Sequence, residues 1–268
     1  MNRLSEIIAN KRKEVEAGKN RRPLSEMEAA PGFNRARQSL ISSLQKSSRI
    51  RLIAEFKRKS PSRGWFKAPN FSLQPVVCSY EAGGAVAASV LTDEHFFGGN
   101  IQDLSTARAV TQLPLLRKDF IIDRWQIAEA RAAGADVVLL IAACLAPEQL
   151  KELSGYAKSI GLETLLEIHS DEELHYIDEE IDMVGINNRD LRSFKVNLET
   201  SFRLVEKIKG KPVISESGIG DAATVIGLEN AGFRACLIGE QFMKEPDPGQ
   251  AFRNFAEAIQ QKTTTGRV

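Results

Sequence analysis

The chain has 268 residues with 36 basic and 35 acidic side chains, a net charge of +1. No global field therefore draws it to nucleic acid or to an anionic membrane, and a small molecule is the expected partner. The length suits one large α/β domain with a sizeable core. Cys78, Cys144 and Cys236 are odd in number and sit in apolar or helical context, so they read as buried thiols in a reducing compartment. No apolar stretch reaches the ~18 residues of a membrane span and the N-terminus has no apolar signal core, so a cytoplasmic location is expected.

In chain order, "MNRLSEIIANKRKEVEAGKN" comes first, an amphipathic helical pattern with Leu4, Ile7 and Ile8 on one face. The basic run "NKRK" at 10 to 13 reads as a solvated face of that helix, and "QSLISSLQ" as an unremarkable part of a helical extension over residues 1–48. Eight apolar runs follow: "IRLIAEF", "AVAASVL", "LPLLRKDF", "ADVVLLIAA", "ETLLEIH", "DMVGINNRD", "KPVISESG" and "ACLIGE". Seven helical stretches separate them, among them "PEQLKELSGYAKSIG" and "LETSFRLVEKIKG", and "PGQAFRNFAEAIQQ" comes after the last. Apolar strands alternating with helices indicate a parallel sheet covered by helices. Eight such units in this length fit an α/β fold of the (β/α)8 TIM-barrel class, with a doubly wound open sheet as the alternative. No linker divides the chain, so 1–268 reads as a single barrel domain with a flexible tail over 262–268.

Charges recur where such a barrel would carry its chemistry, at the downstream strand ends. Glu55 and Lys57, Lys118, Glu167, Asn187 and Arg189, and Glu216 all occupy that side of their strands. One such residue alone would be a solvated start of a loop. Repetition over five strands argues for charges paired around a ligand, with shifted pKa values available for proton transfer. The seventh strand ends in "SESGIG" and the eighth in "LIGE". Glycine turns at these two places form phosphate sites in many barrels, and Gly218 and Gly239 would let the backbone approach an anion.

"GIGDAA", Gly218 to Ala223, also matches a dinucleotide pattern, with Glu240 near the place of a ribose-binding acid. That fingerprint needs further βαβ units after it, and only one strand remains. His95, His169 and His175 lack metal-ligand spacing, and neither a Walker loop nor a nucleophile elbow is present. Phe96, Phe97 and Phe120 follow the second and third strands, equally suited to core packing or to an aromatic-substrate pocket.

"IAEFKRKSPSRG", "LTDEHFFGG", "LLRKDFIID", "GADVVLLI", "LLEIH", "VGINNRDL", "ISESGI" and "LIGEQFM" resemble, in order and over almost the whole chain, the signature segments of the indole-3-glycerol phosphate synthase family. The resemblance implies a (β/α)8 barrel with an extra N-terminal helix, acting without metal or organic cofactor. It implies closure of an indole ring on 1-(2-carboxyphenylamino)-1-deoxyribulose 5-phosphate with loss of CO2 and water. By the same resemblance Lys118 is the catalytic lysine and general acid at the ketone, and Lys57 the second essential lysine, holding the substrate carboxylate. Glu167 serves the dehydration, either protonating the departing hydroxyl or removing the ring N–H proton, while Glu55 keeps the lysines charged and placed. Asn187, Glu216 and Ser217 complete the catalytic set, with Ser217 or Asn187 orienting the carboxylate. Ser60, Gly218, Gly239 and Glu240 match the phosphate cradle, Arg189 a substrate-binding position, and Pro61, Phe97, Phe120 and Leu139 the anthranilate pocket. "GWF" at 64 to 66 is bulkier than the family's usual continuation, without touching a catalytic position.

Two rivals follow from shared features. Phosphoribosylanthranilate isomerase would share the glycine turns but use a Cys/Asp acid–base pair. A non-catalytic binding barrel would have lost a member of the ring. The oligomeric state stays open, a monomer included, as does association with other enzymes.

Overall fold

Each apolar run forms one strand: β1 (Arg51–Phe56), β2 (Ala87–Leu91), β3 (Leu115–Lys118), β4 (Val137–Ile141), β5 (Glu163–Ile168), β6 (Met183–Asn187), β7 (Val213–Glu216) and β8 (Ala235–Ile238). All pair in parallel with their sequence neighbours, and β8 returns to β1 with Ile53 opposite Leu237, closing an eight-stranded barrel. The computed structural model describes residues 3–191 and 193–265. Three helices precede the barrel, α1 (Arg3–Arg21), α2 (Leu24–Glu28) and α3 (Leu40–Gln45). After β1 comes α4 (Gln74–Ala82), and after β2 a short α5 (Glu94–Phe97) and α6 (Ile101–Val110). Next are α7 (Arg124–Ala133), α8 (Pro147–Ser159), α9 (Glu199–Val205), α10 (Ala222–Asn230), α11 (Glu240–Met243) and α12 (Pro248–Thr265). Asn100, Asp123 and Asp221 cap α6, α7 and α10 by accepting backbone N–H bonds, which starts each helix just beyond its mouth loop.

Alternation along the strands decides what faces inward. Ile53, Leu116, Leu139, Leu165, Met183, Ile214 and Leu237 fill the barrel interior, while Ala54, Leu115, Leu140, Leu166, Val184 and Cys236 pack outward against the helices. Two residues further along the inward register lie Glu55, Lys118, Glu167, Gly185, Glu216 and Gly239. The charged ring is thus the layer that continues the apolar interior toward the mouth.

The extension spans the barrel from mouth to floor. Leu4 and Ile7 of α1 are buried in the interior cluster with Phe96 and Phe120, and Leu40 and Leu44 of α3 are fully buried in the same cluster. Glu163, the first residue of β5, accepts the Leu40 N–H at 2.9 Å and the Ser39 hydroxyl at 2.5 Å. "QSLISSLQ" is therefore the plug of the barrel floor. In "NKRK" Arg12 and Lys13 are exposed as expected, but Lys11 is only 3% exposed. Its ammonium sits 2.8 Å from Asp93 and 2.9 Å from Asp119, with Glu14 at 2.6 Å, a set of carboxylates that offsets the burial of the charge.

Other expectations are corrected too. The connection from β5 to β6 is a 3-10 turn, Asp171–Tyr176, in place of a helix; it is short, and it packs only Leu174, Tyr176 and Ile177 onto the outer layer. The three cysteines are free, but Cys78 is exposed on α4 and Cys144 half-buried, and only Cys236 is buried. α12 runs on through Lys262 to Thr265, and the rest of the expected tail, 266–268, lies outside the described residues. No helix of the described residues is long and apolar enough to cross a membrane.

Candidate active site

A cavity of about 450 Å³ opens at the downstream ends of the strands, and every catalytic or substrate-binding residue that the resemblance implies lines it. Lys118 ends β3 and reaches across the barrel, its Nζ 2.6 Å from Glu167 Oε2 on β5 and 3.1 Å from Glu216 Oε2 on β7. Glu55 and Lys57 form a second pair at 2.9 Å, with the Lys57 ammonium 5.8 Å from the centre of the Phe66 ring. Phe66 of the "GWF" segment therefore lies beside Lys57, although no residue of the segment occupies an assigned position. Trp65 pairs with Lys59 in a two-stranded hairpin of the loop after β1 and is half exposed.

Burial penalises every one of these charges, and the pairing decides which survive. It lowers the Lys118 ammonium, but Glu167, Glu216 and Glu55 together hold it above the ordinary lysine value. It raises Glu167, but Lys118 and the neighbouring His169 bring that carboxyl well below the usual range. Glu216 goes the other way. Burial raises it against the pull of Lys118, Glu167 adds repulsion, and it is pushed up to about 7. The packing agrees, since Glu216 Oε1 is buried without a hydrogen-bond partner and lies over Gly185, where a Cβ would come within 2.2 Å of it. The site thus holds one firmly ionised carboxylate, Glu167, and one carboxyl ready to carry a proton, Glu216, on either side of one cation.

The far end of the cavity is built from loops. Ser217 and Gly218 both take left-handed backbone conformations, φ 67° and 77°, directly after β7. Asn188 fastens this turn, its Nδ2 donating to the carbonyls of Glu216 at 3.0 Å and Ser217 at 3.1 Å. Gly239, before α11, lies against Glu55, which a Cβ would strike at 2.4 Å. Here the need for glycine is close approach. Glu240 accepts from Arg189 at 3.2 Å and pairs with Arg63 at 3.1 Å, so two guanidiniums meet at the Gly218–Gly239 end. Ser60 sits opposite on the hairpin, hydroxyl to hydroxyl with Ser62 at 3.4 Å. Across the cavity, Phe97 and Phe120 face each other with ring centroids 6.0 Å apart, beside Pro61 and Leu139, while Phe96 turns into the interior cluster. Asn187 Oδ1 accepts the Arg189 N–H at 3.0 Å.

The arrangement gathers two guanidiniums beside the glycine turns, a tilted pair of phenyl rings among apolar side chains, and a lysine between two carboxylates. Among the described residues no cluster of His, Cys, Asp and Glu is arranged to hold a metal ion. The sequence by itself assigns no site role to Arg63, Asn188, His169 or Lys11. Arg63 and Asn188 stand inside quoted motifs next to assigned residues; His169 ends one. Lys11 gave no local signal of burial, because Glu14 beside it reads as an ordinary i,i+3 surface pair and its buried partners, Asp93 and Asp119, are distant in sequence.

A family model described as indole-3-glycerol phosphate synthase matches residues 4–255. An indole-3-glycerol phosphate synthase of Bacteroides thetaiotaomicron is 50% identical over 258 residues, covering 96% of this chain and 98% of the relative. One from Rhodopirellula baltica is 42% identical over 246 residues, 91% of this chain and 95% of the relative. Among solved structures, 3-hexulose-6-phosphate synthase from Salmonella typhimurium superposes with a TM-score of 0.63 at 12% identity, over 79% of this chain and 99% of the other. A tryptophan synthase alpha-subunit from Pyrococcus furiosus does so with a TM-score of 0.61 at 16% identity, over 79% and 98%. At such identities these two speak for the barrel alone.

Proposed function

The chain belongs to the indole-3-glycerol phosphate synthase family, and from that premise we propose how the cavity divides the reaction among its residues. The enzyme is a carboxy-lyase of tryptophan biosynthesis that converts 1-(2-carboxyphenylamino)-1-deoxyribulose 5-phosphate to indole-3-glycerol phosphate, releasing CO2 and water. The observation that carries the division of roles is the position of Lys118 between Glu167 and Glu216.

Phosphate is taken by the backbone of Gly218 and Gly239 with Ser60, Arg63 and Arg189, the guanidiniums exchanging Glu240 for the substrate anion. The anthranilate ring enters the slot of Pro61, Phe97, Phe120 and Leu139, and Lys57 holds its carboxylate, with Asn187 and Ser217 orienting the same group. Lys118 then donates to the ketone oxygen as the ring carbon attacks. An ammonium held above its ordinary value keeps its proton until that oxygen gains negative charge. Decarboxylation restores aromaticity. Of the two roles open to Glu167, its ionised state favours the base, which accepts the proton released as the hydroxyl leaves. Glu216, near pKa 7, is the carboxyl suited to supply a proton, and Glu55 holds Lys57 in place. All these residues come from one chain, so a monomer suffices, and three free thiols suit the reducing cytoplasm.

The test is incubation of purified protein with the carboxyphenylamino substrate while indole fluorescence is followed, with Glu167→Gln beside it in single turnover. The expected result is full turnover by the native enzyme and a decarboxylated, non-indole intermediate in the variant. Indole formation by Glu167→Gln at the native rate would remove the base assignment.

A further inference from the structure

Glu167 has a second cation that the roles above leave unused. His169, the first residue beyond β5, places Nε2 3.3 Å from Glu167 Oε1, the oxygen that Lys118 does not hold. Its Nδ1 lies 3.5 Å from Glu173 Oε2 in the following 3-10 turn. Glu173 is itself anchored, because the His169 backbone N–H donates to the same Oε2 at 2.6 Å. The His169 side chain is only 12% exposed. A neutral imidazole carries a lone pair on one nitrogen, and here either tautomer would turn that lone pair toward a carboxylate. Neither contact is aligned as a hydrogen bond, and both ring nitrogens are buried without a hydrogen-bond partner; what joins the ring to the two carboxylates is charge at ion-pair distance, which only the imidazolium carries. Burial works against the charge, but the two glutamates prevail and His169 is raised to about 9. The other groups of this neighbourhood are Lys118 from β3 and Glu216 from β7, beyond Glu167, and the Cys144 thiol from the turn after β4. Burial and the same two glutamates push that thiol up, so it remains neutral.

We propose that His169 is a positioning residue for this reaction, an imidazolium clamped between Glu167 and Glu173 that keeps Glu167 ionised and aimed while Lys118 turns to the substrate. The proposal rests on Glu167 being the base. Lys118 cannot give one proton both to Glu167 and to the ketone oxygen. Without a further cation Glu167 would then be a buried carboxylate short of a partner, and would take up a proton too early. His169 occupies Oε1, which leaves Oε2, on the Lys118 side, as the basic oxygen.

The experiment combines histidine 15N spectra with pH–rate profiles. The chain has three histidines, and His95 and His175 are exposed, so the buried ring is assigned by its loss in His169→Gln. Native His169 should show both ring nitrogens protonated at about pH 8. The native kcat should fall as the ring loses its proton near pH 9. Glu173→Gln removes one of the two carboxylates and should move both the titration and the kcat limb down by about one pH unit. His169→Gln keeps an N–H toward Glu167 without the charge. It should lower kcat near neutrality on the order of tenfold, leave KM for the substrate close to native and abolish that limb. A neutral His169 at about pH 8, or a kcat limb that stays in place in Glu173→Gln while the NMR titration moves, overturns the role of His169. Near-native turnover by Glu167→Gln overturns instead the reading on which the proposal stands, so the two failures are told apart.

Discussion

Lys118 is held in place by two carboxylates of opposite character, and the difference is measurable at single positions. Lys118→Met should lower kcat on the order of 10²-fold or more while inhibitor phosphates still bind, read by steady-state kinetics and calorimetry. Near-native turnover with chemistry limiting would withdraw Lys118 as the acid. Glu216 yields a stability prediction. Its folded-state value of about 7 lies above the ordinary 4.5, so the native state binds the proton more tightly than the unfolded chain. Stability is greatest below about pH 4.5 on this account and is lost as pH rises through 7. Glu216→Gln copies the protonated form, so it should raise Tm at about pH 8, by a share of roughly 3 kcal/mol, and leave Tm near pH 5 little changed, while slowing catalysis. Equal effects at both pH values would count against a proton-carrying Glu216. The ring itself was legible in the sequence because alternation along each strand fixes which residues share the inward register. Protonation was not, since it depends on which carboxylate oxygen meets Lys118, which meets His169 and which lies bare over Gly185.

At the scale of elements, the strands were readable because each is a short apolar run bounded by turn residues, and the α3 plug was not, because "QSLISSLQ" acquires its meaning only from Glu163, well over 100 residues away. The extension therefore has two functions that one long deletion would confuse. Removing residues 1–21 takes away α1 and the Lys11 contacts to Asp93 and Asp119, the latter adjacent to Lys118. It should reduce kcat while the barrel keeps a cooperative thermal transition. Removing residues 1–45 also takes Leu40 and Leu44 from the floor and should destabilise the fold itself. Leu44→Ala alone should cost about 2–5 kcal/mol in denaturant unfolding with kcat near native. A truncation of α1 that leaves kinetics unchanged would deny the helix any part in the active site. Gly239→Ala is the matching test at the mouth. Its Cβ would meet Glu55 Oε1 at 2.4 Å and the less movable Glu55 Cβ at 2.8 Å, so activity should fall and Tm should fall with it.

Across the whole molecule the proposed site residues gather at one end of the barrel, and the anion site we propose lies where the last two strands deliver their turns. A crystal grown in sulfate or phosphate should show the anion against Gly218, Gly239 and Ser60 with Arg189 turned from Glu240 toward it; side chains filling that place instead would refute the cradle. With 36 basic and 35 acidic residues, a balanced surface adds little long-range steering, so on the proposed reading capture of the substrate falls to this local group of cations. The span of the extension has a further consequence, in the order of synthesis. Residues 3–45 leave the ribosome ahead of the barrel strands, yet the groups that receive them come later: Asp93 and Asp119 for Lys11, Asp136 for Arg35, Glu163 for Leu40, and Arg234, which donates to the Leu44 carbonyl at 3.1 Å. β1 likewise waits for β8. Lys11 and Arg35 can meet their partners once residue 136 has emerged and Leu40 once β5 has, while the Leu44 carbonyl and β1 wait for Arg234 and β8, so the segment seats in stages from α1 to the floor.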